Sequence, residues 1–146
     1  MGYYGFGTKE AILNNLGTEL EELTVNAVLI KFVEYQRSHF QGASPDKYPG
    51  VFVNDVRTDK VKMLSDITRN EFAAALIGFV WAKDSEELST LVHAWIEAMK
   101  DKVIADRTRG SQAYDTEIQA VVTDGGNRHP QGQFIIMINI IYYSQE

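Results

Sequence analysis

Two stretches of this chain are apolar on both of their alternating sides. Over residues 133–143, Phe134, Ile136, Ile138, Ile140 and Tyr142 fall on one side, and Ile135, Met137, Asn139, Ile141 and Tyr143 on the other. Residues 69–83 repeat the pattern, with Phe72, Ala74, Leu76, Gly78 and Val80 opposite Ala73, Ala75, Ile77, Phe79 and Trp81. A half-buried strand shows one apolar side; a strand with two lies centrally in a sheet or is covered on both faces. The Ala-rich start of 69–83 also suits a buried helix, but Gly78 and the Phe79-Val80-Trp81 cluster favour a strand. In a chain of formal charge −6, the 133–143 strand is either central in its own sheet or the surface on which subunits meet.

The remaining elements follow from periodicity and caps. Thr8 suits the N-cap of a short helix carrying Ile12, Leu13 and Leu16, with Gly17 at its end. Thr18 and Glu21 form a T-x-x-E start signal. The apolar spacing of Leu20, Leu23, Ala27 and Ile30, with Val25, Val28, Leu29, Phe32 and Val33, then predicts a second helix ending near Phe40. Residues 41–50, with Pro45 and Pro49, read as a loop. Residues 51–57 alternate as a strand, and the polar stretch 58–68 either extends it or forms a loop. Asp84 or Ser85 caps a long helix to about Ile104, with Glu86 and Glu87 in its first turn. Its face is Leu88, Leu91, Val92, Trp95, Ile96, Met99 and Val103. Tyr114, Thr116, Ile118, Ala120 and Val122 alternate with Asp115, Glu117, Gln119 and Thr123 as a strand, and 124–132 form a turn longer than a minimal hairpin needs. The expected fold is α+β: an antiparallel or mixed β-sheet of about four strands flanked by an N-terminal helix and one long central helix. Residues 1–146 form a single domain, in which 1–7 are a flexible tail or an arm that docks on a neighbouring chain.

Composition narrows the chemistry. Twenty Asp and Glu exceed fourteen Lys and Arg, and the pI is near 5.1, which opposes a dedicated nucleic-acid binder. With no Cys, disulfides, thiolate nucleophiles and Cys-ligated metals are excluded. No run reaches the ~18 apolar residues of a spanning helix. Met1 to Gly7 lack the basic start and apolar stretch of a signal peptide.

No catalytic constellation emerges. His93 falls within the long helix, where a surface or core-edge role is favoured; His39 ends the N-terminal helix, where a cation suits the dipole; His129 lies beside Arg128 in the turn with no acidic partner at motif spacing. Metalloprotease, nucleophile-elbow and phosphate-loop motifs are missing, and Asp55, Asp59 and Asp66 do not match a calcium loop. Gly5-Phe6-Gly7 is half of a dinucleotide fingerprint without its strand–helix unit. Lys60, Lys62 and Arg69, or Arg107, Arg109 and Arg128, form modest basic groups, with Tyr142 and Tyr143 available for stacking. In a net acidic chain these read better as a mixed-charge solvated face. The expectation is a protein that is not an enzyme and takes no cofactor or metal.

The carboxyl-terminal two-thirds, about 51–143 with the preceding amphipathic segment, resembles the tail terminator proteins of long-tailed bacteriophages, also called tail completion or head–tail joining proteins. The likeness lies in element order: a short strand ending at Arg57, the I-T-R-N-E-F start at Ile67 to Phe72, the D-S-E-E-L-S-T-L-V-H-A-W-I-E-A-M helix, a D-G-G-N hairpin, and a last strand ending Ile141-Tyr142-Tyr143. The resemblance implies a virion protein of the tail or neck, assembled in the host cytoplasm without a membrane partner. It implies a homo-hexameric ring that caps the tail tube protein, halts its polymerisation and meets the head connector or stopper protein. DNA then passes through the ring without specific binding, which net acidity favours. The contact residues expected on this view are Tyr3, Tyr4 and Phe6 of the arm, Gly125, Asn127, Arg128 and His129 of the turn, and Ile141 and Tyr143 of the last strand. A head–tail connector or other neck protein and a small non-enzymatic interaction module are the competing expectations.

Overall fold

The computed structural model describes residues 7–35, 48–64, 66–110, 113–124 and 130–145. Helix α1 spans Lys9–Leu20 and starts where expected: the Thr8 hydroxyl accepts from the Ala11 N–H at 3.2 Å. Ile12, Leu16 and Leu20, four residues apart, form its buried stripe. Gly17 lies inside the helix rather than at its end. A Cβ there would fall 1.6 Å from the Tyr35 hydroxyl, so the missing side chain makes room for that ring. Thr18 starts no second helix; its hydroxyl donates back to the Asn14 carbonyl at 2.9 Å.

The helix expected over residues 18–40 is replaced, in its described part, by strands. Thr24–Val25 (β1) and Val28–Leu29 (β2) form a two-stranded antiparallel ribbon, and Phe32–Tyr35 is β3. Thr24, Val25, Val28, Ile30 and Val33 are β-branched and lose χ1 freedom in a helix. Asn26 and Ala27 both have positive φ, 52° and 65°, as the right-handed twist of a tight hairpin demands.

Gly50–Leu64 (β4) and Ile67–Trp81 (β5) make a long hairpin, so the polar stretch 58–64 does extend the strand. Register shifts between Asp55 and Arg57, and between Lys62 and Leu64, absorb one residue each in β4. Helix α2, Ser85–Ala105, is capped by the Asp84 carboxylate, which accepts from the Glu86 N–H at 2.8 Å. Asp115–Thr123 (β6) and Gln131–Gln145 (β7) complete the chain.

The main sheet has the order β3-β4-β5-β7-β6, parallel between β3 and β4 and antiparallel elsewhere. The two doubly apolar strands, β5 and β7, are its central pair, held in register from Ile67↔Gln145 to Trp81↔Gln131. This corrects the expected four-stranded α+β sheet flanked by helices. The chain is mostly β, with seven strands in two sheets among the described residues and a five-stranded mixed main sheet. Residues expected to form a second helix are spent, in their described part, on the ribbon and an edge strand, and both helices pack into the core on one face of the sheet.

That core joins Ile12, Leu16 and Leu20 of α1 and Leu88, Trp95, Ile96 and Met99 of α2 to Val51, Val53, Phe72, Leu76, Phe134, Ile136, Ile138 and Ile140 of the sheet. Trp95 and the three isoleucine-rich positions of β7 are essentially inaccessible. Gly78 admits the Phe134 ring, whose nearest atom lies 2.1 Å from where a Cβ would stand.

Candidate assembly interface

No described helix covers the opposite face of the sheet. On β5 it carries Ala73, Ala75, Ile77, Phe79 and Trp81, and across the register on β7 Ile135, Met137, Asn139, Ile141 and Tyr143. One end of this face is an aromatic group built on Tyr48, Phe52 and Phe79, with Phe32, Ile77 and Trp81 packed against it. Phe52 and Phe79 meet edge-to-face with centroids 5.0 Å apart. Gly50 is required beneath Phe32, since a Cβ would fall 1.9 Å from that ring. Tyr48 is tied down by a 2.8 Å hydrogen bond from its hydroxyl to Gln131. The middle is smaller and apolar, with Ala73, Ile77, Ile135 and Met137 only half-buried. At the far end, the Asn139 amide donates to Glu71 at 3.1 Å, Glu71 pairs with Arg69 at 3.2 Å, and Tyr114 meets Tyr143 edge-on at 5.9 Å.

Among the described residues the sheet also has two open edges. From residue 56 onward no described strand lies outside β4, and Val56, Val61 and Met63 are exposed. Beyond β6 there is likewise no described strand, and Val121 and Val122 are exposed. An edge presents free main-chain donors and acceptors, the commonest template for another chain.

Of the residues expected to make contacts, Ile141 and Tyr143 share the open face. Ile141 is 8% exposed, and its carbonyl accepts from the Tyr114 N–H at 2.7 Å. Tyr143 is half-buried, and its carbonyl accepts from the Gly7 N–H at 3.1 Å. Tyr3, Tyr4, Phe6, Gly125, Asn127, Arg128 and His129 lie outside the described residues. Sequence reasoning missed the exposed valines of the edges; the consecutive Val121-Val122 pair, which breaks the alternation of β6, was the available signal.

Three of the basic residues weighed for nucleic acid are held in ion pairs. Arg69 binds Glu71, and Arg107 binds Asp115 through two nitrogens at 2.7 and 3.1 Å. The Arg107 hydrogen bond holds the Asp115 carboxyl below its ordinary range.

Arg109 is fully buried with a left-handed φ of 50°. Its guanidinium donates to the carbonyls of Val103 and Asp106, closing the C-terminal end of α2, and to Glu19 of α1 at 2.9 Å. Burial, then a hydrogen bond with Asp106, pushes the Glu19 carboxyl up to about 7, against the charges of Arg109 and Lys102. Burial acts on Asp106 in the same direction, yet hydrogen bonds from Gly110 and Glu19 and the charge of Arg109 hold it below the ordinary range. The proton is therefore favoured on Glu19 and disfavoured on Asp106 beside a buried cation. The group ties helix to helix across 90 residues of sequence.

Among the described residues, no three His, Asp or Glu are grouped to hold a metal ion. A cavity of about 160 Å³ between the ribbon, Tyr48, Pro49, Trp81, Leu91 and Trp95 is smaller than the ~300 Å³ at which small-molecule sites begin. No protein-family model matches the chain, and no curated protein matches its sequence.

Proposed function

We propose that this chain is a structural assembly protein of the kind the sequence resembles: a phage tail terminator, whose six-fold ring caps the tail tube and receives the head connector. The observation that carries this reading is the five-stranded main sheet, with one apolar face free of described helices and two edges free of further described strands. Such a sheet is suited to contacts with further protein. Two edges on opposite sides of one sheet give each subunit two different contacts, and heterologous contacts are those that close into rings. A net charge of −6 per chain makes a channel formed by six copies repel phosphate wherever its acids face the lumen.

The test is mass by light scattering, with negative-stain images of the same fractions, followed by mixing with purified tail tubes. Expected are particles of six times the 16.5 kDa chain mass, alone or on tube ends, and tubes that no longer elongate. Tubes that continue to grow at saturating protein refute the terminator reading. Binding to DNA-filled heads in place of tubes transfers the protein to the connector side of the neck.

A further inference from the structure

We draw no further inference here: the strongest candidate, the apolar face of the main sheet on β5 and β7 with the edge of β4 beyond Val53, carries nothing beyond the site already described, because nothing in the structure shows what covers it.

Discussion

Replacing Glu19 by Gln tests the raised proton affinity of this carboxyl between α1 and the end of α2. The Glu19 carboxyl, 22% exposed, is raised from 4.5 to about 7. Full expression of that rise is worth about 3 kcal/mol, and partial exposure and coupling to Asp106 reduce it to about 1–2 kcal/mol. The sign follows from proton counts: between pH 4.5 and 7 the folded chain holds a proton that the unfolded chain has released. The stability it confers is complete below pH 4.5 and is lost as pH rises through 7. Above 7 two carboxylates face one guanidinium in a buried site. Gln keeps the shape, donates to Asp106 and accepts from Arg109, but cannot ionise. Urea unfolding of both proteins at about pH 5 and about pH 8 supplies the assay. The stability of the natural chain minus that of the variant should fall by about 1–2 kcal/mol between the two, a change of roughly 0.5–1 M in relative midpoint. Taking the difference removes the opposing acid sensitivity of Asp106 and the other carboxylates. A difference that stays flat within a few tenths of a kcal/mol refutes the raised Glu19 carboxyl.

Gly78→Ala should destabilise the fold by about 1–3 kcal/mol, because the Phe134 ring it strikes is 1% exposed and has nowhere to go; an unchanged unfolding midpoint contradicts that packing. Ile141→Asp should lower the melting temperature whether or not the protein assembles, since it buries an unpaired carboxylate. Tyr143→Asp should leave monomer stability within about 1 kcal/mol while weakening assembly, and the opposite ranking of the two variants would place the contact elsewhere. Shortening residues 125–129 to Asn-Gly, which spares Gln131 and Gly132 of β7, should leave the circular dichroism unchanged and abolish tail joining, and normal virion yield from the shortened chain would dismiss those residues as a contact.

Much of the sheet was legible because its information is local. A strand apolar on both sides can hardly lie anywhere but mid-sheet, and β5 and β7 are the central pair. The Asp84 cap and the stripe from Leu88 to Val103 define α2 without reference to other elements. Residues 24–35 misled the reading because their apolar spacing fits a helix while their β-branched side chains fit a strand. Tertiary packing decided between them: Ile30 is buried in the helix-side core, and β3 takes the outer edge of β4. The candidate contact surface was only partly legible. Ile141 and Tyr143 were placed by alternation, whereas the open edge of β4 lay in a stretch whose polarity suited a loop equally well.

The chain by itself determined the central strands, the long helix, its net acidity and the absence of thiol chemistry, because each is a property of composition or of neighbours within a few residues. Only the tertiary structure decided that both helices pack into the core on one face. The same holds for β3, which blocks one edge from Gly50 to Val53, and for Arg109, which bonds to Glu19 of α1 and to the Asp106 carbonyl. Those outcomes depend on contacts between residues 18 to 90 positions apart. Their energies come from burial and pairing in three dimensions, which no local pattern along the chain encodes.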